Sequence, residues 1–433
     1  MDVDVDDGVL TWRAVIDLLR RNRDLRLVFL AQVVSFLGDW FADVALLGLV
    51  LELTGSPIWA SLILVSTMLP VFLVTPLAGP MVDAFDRRKL IIAVSAAQAV
   101  AALVLLGVGE SRVWLALVAR AVIAGLSTFV GPAVQASIPN LVAPVDLTRA
   151  NTLIGSVWGA MLAVGAAAGG AFTVLFGRSA SFVADALTFV VAAGLIALVR
   201  RPMHAAREDG AVARRVRPLA DTREAFHYAS SNRPLALLLC SKAGLGLAGG
   251  VVPLLAVFGD EVFDGGDAGI GLLLGARGLG AVIGPMVGQW RLTRRGTAAA
   301  ASTVPGILFL CGAGAVVYGV GYAAVAAAPS LPLAMAATFV AHLGSGAQWT
   351  LSNLGLQVAT RDALRGRIFA ADFAVLTLTM STSYLVGGWA AGRFGPRPVT
   401  LALALIAGSW GMFYLSVTRA MRRPEAAETP LPT

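Results

Sequence analysis

Charged residues are scarce in this chain, and their scarcity decides its class. Only 14% of its 433 residues are charged and 57% are apolar, whereas soluble domains carry about 25% charged residues. The longest polar stretch, from Arg200 to Arg233, is too short to fold as a separate soluble domain. The composition therefore excludes a soluble globular enzyme.

Residues that carry chemistry are also few. The two cysteines, Cys240 and Cys311, lie in apolar stretches, which predicts packed thiols rather than a disulfide. The three histidines are scattered without metal-ligand spacing, and the chain has no Gly-x-x-x-x-Gly-Lys phosphate-binding sequence. We therefore expect no enzymatic activity, no metal and no cofactor.

Apolar sequence is what the chain has in abundance. A bilayer core about 30 Å thick needs about 20 apolar residues per crossing, and backbone groups inside lipid must pair within their own segment. The pattern predicts an all-α membrane protein with twelve transmembrane helices, at 26–52, 58–82, 89–108, 113–138, 151–176, 179–199, 234–258, 268–290, 299–325, 331–357, 368–391 and 398–418.

Basic residues are sorted to one side of these helices. When connections alternate between the two sides, 26 arginines and lysines fall on the side of both termini and four on the other. Cytoplasmic loops are enriched in Lys and Arg, which predicts a multi-pass protein of the cell membrane with both termini in the cytoplasm. The net charge of +7 then reflects topology, and we expect no nucleic-acid partner.

The chain repeats itself at an offset of 205 residues. Gly79-Pro-Met-Val recurs as Gly284-Pro-Met-Val, each time at the end of a helix and before a basic cluster. Six helices per repeat is an even number, so the halves are expected to be parallel. The prediction is two pseudo-symmetric six-helix bundles, with a tail 1–25, an N-terminal bundle 26–199, a linker 200–233, a C-terminal bundle 234–418 and a tail 419–433.

The segment between helices 2 and 3 has a known pattern. Gly79 is followed four residues on by Asp83, and then by Arg87 and Arg88. This spacing resembles the helix 2–3 loop signature of the major facilitator superfamily. The resemblance implies the twelve-helix transporter fold of that superfamily.

The same resemblance gives Asp83 a role. It implies that Asp83 accepts hydrogen bonds at the positive start of helix 11, near Arg365 and Arg367, as a latch that closes the cytoplasmic side. A loop-capping aspartate is the alternative.

The segments Ser35–Trp40, Pro132–Val142 and Phe182–Phe189 resemble the drug:proton antiporter branch, which includes the enterobactin exporter and macrolide efflux proteins. Helix 5 has small residues in the spacing of the antiporter signature, at Gly165, Gly169 and Gly170. Ala166 stands where that signature has proline, and Ile123 and Ala124 replace the Gln and Gly of a helix 4 signature. Both signatures are associated with proton-coupled export.

Three charged residues occupy one depth in the predicted N-terminal bundle. Asp39 and Asp43 lie one helical turn apart on helix 1, and Arg120 on helix 4 reaches a similar depth. A charge inside the membrane needs a partner or a watery cavity. We expect Arg120 to pair with one of the acids, either as a proton switch or as a permanent structural ion pair.

Further charges lie in other helices. Lys242 on helix 7 and Arg277 on helix 8 either meet an anionic substrate or satisfy groups of the protein, and Asp372 is the acid closest in depth to Lys242. A Lys242–Asp372 pair is the favoured interpretation. Asp185 on helix 6 is interpreted as a packing and capping group rather than a coupling residue.

The sequence as a whole predicts a transporter with a central cavity between two rocking halves. The resemblance implies proton-coupled efflux of a small amphipathic molecule such as a drug, an antibiotic or a siderophore, with membrane lipid around a monomer. Uptake of a small metabolite by the same fold is one alternative. A non-transporting membrane receptor or assembly protein is the other.

Overall fold

The computed structural model of the chain describes residues 12–204, 228, 232–294 and 304–419, and every regular element in them is helical. A short helix, Trp12–Arg21, precedes the long ones. The N-terminal bundle contains α1 Arg23–Thr54, α2 Pro57–Ala84, α3 Arg87–Val104, α4 Trp114–Leu141, α5 Leu147–Phe176 and α6 Arg178–Ala197. The C-terminal bundle contains α7 Arg233–Val262, α8 Gly266–Arg294, α9 Val304–Ala327, α10 Leu331–Ala359, α11 Asp362–Phe394 and α12 Pro396–Val417.

Eleven of these helices are long and apolar enough to cross a membrane by length and composition. The twelfth, α10, has 29 residues but carries a row of polar side chains. That row is buried inside the protein, at Thr338, His342, Ser345, Gln348 and Ser352. The all-helical membrane fold predicted from the sequence is therefore confirmed, and α10 is a crossing helix whose polar face is turned inward.

The two bundles repeat one packing scheme. In the first, α1 packs on α5 and α6, while α4 packs on α2 and α3, and α3 packs on α6. In the second, α7 packs on α11 and α12, while α10 packs on α8 and α9, and α9 packs on α12. The pseudo-symmetry predicted from the 205-residue offset is thus present in the helix neighbours.

Short connections between the helices are encoded locally. The side chain of Asn22 accepts a hydrogen bond from Leu25 N and caps the start of α1, and Asp86 caps α3 through Lys89 N. Gly55 ends α1 in the left-handed region at φ 57°, where a side chain would be strained. These residues set where α1 begins and ends and where α3 begins.

The ends of the bundles differ in charge. We name the end that carries the start of α1, Arg87 and Arg367 the basic face, and the end that carries Glu52, Arg178 and Asp267 the opposite face. On the basic face of the N-terminal bundle, arginines bind carbonyls at helix ends: Arg87 donates to Ala136 O at 2.8 Å. Cations at helix C-termini are favourable because they meet the negative end of the helix dipole.

The bundles meet at two seams, α5 against α8 and α2 against α11. Both seams are built from glycine. A Cβ on Gly278 would lie 1.9 Å from Leu162 O, and one on Gly388 would lie 2.3 Å from Ser61 Oγ. Small residues let helix backbones approach closely in lipid.

These close contacts lie in the half of the molecule toward the opposite face. Gly79 and Gly366, near the basic-face ends of α2 and α11, have no heavy atom within 4 Å of a Cβ position. Gly155 on the basic-face half of α5 is equally open. At these positions the two bundles are packed together at the opposite face and stand apart toward the basic face.

Helix α7 differs from the uninterrupted helix predicted at 234–258. It is built of the helices Arg233–Cys240, Ala243–Leu247 and Val251–Val257, followed by a π-helical turn, Phe258–Val262. Glycines weaken this part of the sequence because they are poor helix formers. The freed backbone groups find partners on neighbouring helices, as lipid requires.

Two side chains supply those partners. Gly250 N donates to Ser383 Oγ at 2.8 Å, and Ser383 Oγ donates to Leu247 O at 2.6 Å. At the first interruption, Gln348 Nε2 donates to Ser241 O at 2.6 Å. Thus α10 and α11 complete the backbone hydrogen bonding of α7.

Most of the predicted linker 200–233 lies outside the described residues, which there are 200–204, 228, 232 and 233. So do residues 1–11 of the tail 1–25 and all of the tail 419–433 except Arg419. The two cysteines are free thiols.

Candidate functional site

Arg120 lies between two acids of α1. Arg120 Nη2 donates to Asp43 Oδ2 at 2.9 Å, Nε lies 2.8 Å from Asp43 Oδ1, and Nη1 lies 3.6 Å from Asp39 Oδ1. The turn-apart spacing of the acids places both on the face of α1 toward α4. The Arg120 side chain is 12% exposed, that of Asp39 21% and that of Asp43 23%, so all three are largely buried.

A third acid belongs to the same cluster. Asp185 on α6 is 1% exposed, and neither of its carboxylate oxygens has a hydrogen-bond partner within the described part of the chain. It lies against Gly38, where a Cβ would be 2.8 Å from Asp185 Oδ1. Gly38 directly precedes Asp39 on α1, so Asp185 lies beside the acids that hold Arg120. The cluster thus has three carboxyl groups and one guanidinium.

The C-terminal bundle has its own buried ion pair at the first interruption of α7. Lys242 Nζ lies 2.5 Å from Asp372 Oδ2 of α11 and donates to Asn353 Oδ1 of α10 at 2.7 Å. The ammonium also sits 5.1 Å from the ring centroid of Trp349. With side chains 3% and 7% exposed, Lys242 and Asp372 form a neutral pair beside a crevice of about 160 Å³ between α7 and α11.

Arg277, the other charge predicted in this bundle, has different neighbours. On the next turn of α8, a Cβ on Gly280 would lie 2.9 Å from His342 Cβ of α10. His342 Nε2 is 2.8 Å from the hydroxyl of Tyr322. The structure does not bring Arg277 to Lys242 or to a described carboxylate.

On the opposite face an ion pair joins the two bundles. Arg178 at the start of α6 donates from Nε to both carboxylate oxygens of Asp267, at 3.0 and 3.2 Å, and from Nη1 to Glu52. Asp267 belongs to the first turn of α8. This contact closes the opposite face with charge as well as with glycine packing.

The loop between α2 and α3 is built differently from the predicted latch. The Asp83 side chain is 78% exposed, and its ion-pair partner in the described chain is Arg87, 3.8 Å away and one turn on. Arg88 donates to Ala197 O of α6. Arg365 and Arg367 are half-buried at the start of α11, and in this structure Asp83 does not pair with them.

The three glycines predicted as a motif in helix 5 contact two different helices, α1 and α8. Gly165 and Gly169 lie against Trp40 of α1, with Cβ positions 2.5 Å from the indole and 2.6 Å from its backbone oxygen. Gly170 lies against Asp267 and Gly271 of α8. The motif therefore packs α5 against its own bundle and against the other one.

The residues that depart from the family signatures are packing residues. Ala166 is fully buried, and a Cβ on Gly271 would lie 2.7 Å from its oxygen. Ile123 and Ala124 are 1% and 3% exposed. Ile123 O accepts a hydrogen bond from Gln98 Nε2 of α3 at 3.2 Å.

Sequence reasoning missed the Arg178–Asp267 contact and did not place Asp185 beside the Arg120 cluster. Arg178 and Asp267 lie at helix ends, where charge is ordinary, so nothing in the sequence singled them out. Asp185 could have been singled out, because a charged side chain within an apolar membrane helix costs insertion free energy and needs a reason to be there. Its depth alone did not show that it borders Asp39.

Comparison with known proteins places the chain among transporters. Residues 19–429 match the family described as transmembrane secretion effector. The chain is 25% identical over 397 residues to the multidrug efflux pump Tap of Mycobacterium tuberculosis, covering 88% of this chain and 90% of Tap. It is 26% identical over 185 residues to the uncharacterized MFS-type transporter YfiS of Bacillus subtilis, covering 42% of this chain and 44% of that protein.

Solved structures share the fold at low sequence identity. A bacterial homologue of the human lysosomal transporter Spinster, inward-facing and unoccupied, aligns with a TM-score of 0.65 at 18% identity, covering 91% of this chain and 96% of that one. A POT family transporter with a thioalcohol-conjugated peptide aligns with a TM-score of 0.71 at 10% identity, covering 93% and 97%. The nucleoside transporter NupG aligns with a TM-score of 0.68 at 12% identity, covering 91% and 99%.

Proposed function

Because the chain belongs to the transmembrane secretion effector family of the major facilitator superfamily, we propose that it exports a small amphipathic molecule by alternating access, driven by protons that flow inward. Similarity to the multidrug efflux pump Tap supports the direction. The observation that carries the proton coupling is the cluster in which Asp39, Asp43 and Asp185 share Arg120.

The basic face is the cytoplasmic one in this proposal. Its excess of arginine and lysine supports that orientation, since cytoplasmic loops are enriched in these residues. The cavity is then open inward, because the bundles stand apart at Gly79 and Gly366 and are joined at Arg178 and Asp267.

Charge balance in the cluster supports a proton-binding role. One guanidinium faces three carboxyl groups, so the fully ionised cluster has an excess of negative charge inside the membrane. A proton taken up by Asp39 or Asp43 removes one negative charge and weakens its hold on Arg120. Both acids are about one-fifth exposed, so a proton can reach them from a water-filled cavity.

The outward-open state requires the opposite-face contacts to separate. The Arg178–Asp267 pair and the glycine seams at Gly278 and Gly388 would have to open. Closure of the basic face would carry Asp83, now 78% exposed, toward the start of α11. The latch predicted for Asp83 thus belongs to the other end of the transport cycle.

Everted membrane vesicles with an imposed pH gradient, acid inside, test the proposal. With ethidium as the probe, we expect uptake into the vesicles that collapses with the gradient, because everted export runs inward. Asp39→Asn should reduce the rate at least about tenfold, since transport would lose a coupling group. Asp17→Asn, at an exposed acid outside the long helices, is the matched control.

Three results would contradict the proposal. Gradient-driven uptake at the full rate in both Asp39→Asn and Asp43→Asn would remove α1 from the coupling. Probe movement out of everted vesicles would indicate uptake by the cell. Equal intracellular accumulation of compounds in strains with and without the protein would favour a receptor or assembly role.

A further inference from the structure

Arg277 is a membrane-embedded cation without a carboxylate partner. Neither an ion pair nor a hydrogen bond links it to another of the described residues, and its Nε atom is buried without an acceptor. Nearby charged groups are committed elsewhere: Asp372 is bound by Lys242, and Asp267 by Arg178. A charge in this setting is costly unless a counter-charge or water meets it.

The position of Arg277 on α8 directs it into the protein. Successive helical residues are about 100° apart. By that spacing, Gly278 faces α5 and Gly280 faces α10, where Cβ atoms would meet Leu162 O and Phe339 O. The lipid-facing side holds the exposed residues Leu272, Leu279 and Met286. Arg277 falls in the remaining sector, between the α5 seam and α10.

Its depth is close to the middle of the bilayer. Arg277 is 11 residues from the start of α8 at Gly266, which is about 16 Å along a helix axis. A bilayer core is about 30 Å thick. The seam at Gly275 and Gly278, where α5 and α8 meet, lies at the same depth, so Arg277 stands beside the boundary between the bundles.

Neutral hydrogen-bonding groups and aromatic rings face α8 one turn beyond Arg277, where a Cβ on Gly280 would lie 2.9 Å from His342 Cβ. Tyr318 and Tyr322 stack edge to face, with centroids 4.8 Å apart. His342 is held by two hydroxyls, with Nε2 2.8 Å from Tyr322 Oη and Nδ1 2.9 Å from Ser345 Oγ. The ring centroids of Tyr318 and Tyr322 lie 5.5 and 5.7 Å from that of His342.

We propose that Arg277 and the tyrosines beside it form a binding site for the carboxylate of an aromatic substrate. A guanidinium donates two parallel hydrogen bonds to a carboxylate, which suits it to planar oxyanions better than an ammonium. The rings of Tyr318 and Tyr322 supply an apolar layer behind this site, and the Tyr322 hydroxyl is already engaged by His342. The site rests on the proposed function in one respect, because it adds aromatic carboxylates to the molecules exported, beside cations such as the ethidium used in the vesicle assay.

Binding of 1-naphthoate to the purified protein in nanodiscs tests the site, with the uncharged 1-naphthamide as the matched ligand. We expect the carboxylate to raise the melting temperature and the amide to leave it unchanged, because only the carboxylate supplies the missing charge. Arg277→Gln should weaken 1-naphthoate binding at least about tenfold. Arg393→Gln, at an exposed arginine, should leave it unchanged.

The stability of the unliganded variant is a second readout. Because no carboxylate loses its partner, we expect Arg277→Gln to melt at or above the temperature of the parent protein. A strongly lowered melting temperature would show that the protein itself holds the charge, and would overturn the site. So would equal effects of 1-naphthoate and 1-naphthamide, or unchanged 1-naphthoate binding in Arg277→Gln. No pH gradient is present, so these results are independent of the vesicle assay.

Discussion

The two bundles share a packing scheme but not their charges. In the N-terminal bundle Arg120 is outnumbered by acids, with Asp39 and Asp43 in contact with it and Asp185 nearby. At the 205-residue offset the positions of Asp39 and Asp43 hold Gly244 and Ala248. The C-terminal bundle instead holds a neutral Lys242–Asp372 pair and the uncompensated Arg277.

This difference separates what the fold requires from what the function requires. Helix neighbours and small-residue contacts recur in both bundles because close packing in lipid depends on backbone shape. Buried charges do not recur, so the fold itself does not demand them. They are therefore the natural places to look for proton and substrate chemistry.

The largest effect that would test the contrast is expected at Arg120. Arg120→Gln leaves its acids without their cation and should lower the free energy of unfolding by about 3–5 kcal/mol, with loss of gradient-driven transport. Thermal unfolding and the vesicle assay measure the two effects. In Arg120→Gln/Asp43→Asn we expect part of the stability to return and transport to stay absent. Full transport in that double variant would make the cluster merely structural.

The Lys242–Asp372 pair should behave differently, because it is neutral and self-contained. Lys242→Met alone is expected to destabilise the protein by about 3–5 kcal/mol, since it leaves a buried carboxylate unpaired. Lys242→Met/Asp372→Leu should return to within about 1 kcal/mol of the parent protein and still transport. If the double variant were stable but inactive, the pair would belong to the transport machinery, and the bundles would be more alike than proposed.

A smaller effect is expected at the seam where the bundles meet. A Cβ on Gly278 would lie 1.9 Å from Leu162 O, whereas one on Gly155 would have open space. Gly278→Ala should cost about 1–3 kcal/mol of unfolding free energy because backbones must move apart. Gly155→Ala should be neutral or slightly stabilising, by up to about 1 kcal/mol. Equal melting temperatures of the two variants would contradict the close contact.

The smallest effect is expected at the opposite-face ion pair. Arg178→Gln should shift the population toward opening there by about 1 kcal/mol or less, which corresponds to an increase of up to about fivefold. Opening is measured as the rate of thiol labelling of Ser61→Cys, in a protein from which Cys240 and Cys311 have been removed. Ser61 is fully buried against Gly388, so we expect Arg178→Gln to raise the labelling rate. Glu52→Gln should change the rate less, because the Glu52 side chain is 66% exposed. An unchanged rate in Arg178→Gln would remove the pair from gating.

The positions of the helices could be predicted from the sequence. A bilayer fixes the length of a crossing helix and requires its backbone hydrogen bonds to be made within the helix. The sequence was also sufficient to bring Arg120 near Asp39 and Asp43, since depth follows from residue count along a helix. It did not show the interruptions of α7. Those depend on Ser383 and Gln348, which lie on helices far along the chain.

Two further features were beyond the sequence for a different reason. Whether Asp83 meets α11 depends on which face of the transporter is open, and a sequence encodes both states. The pairing of Arg178 with Asp267 depends on how two bundles close against each other. Charges at helix ends have too many possible partners for such a contact to be assigned from composition or spacing.

The hydrogen bonds between the backbone of α7 and the side chains of α10 and α11 have a consequence for how the protein is synthesised and inserted. Ser383 lies 133 residues beyond Gly250, and Gln348 lies 107 residues beyond Ser241. At about 5–20 residues per second, a ribosome needs roughly 7 to 27 seconds to add the longer interval. During that time α7 emerges with bare amide and carbonyl groups that lipid cannot satisfy. Its stable insertion must therefore wait for translation of the last helices.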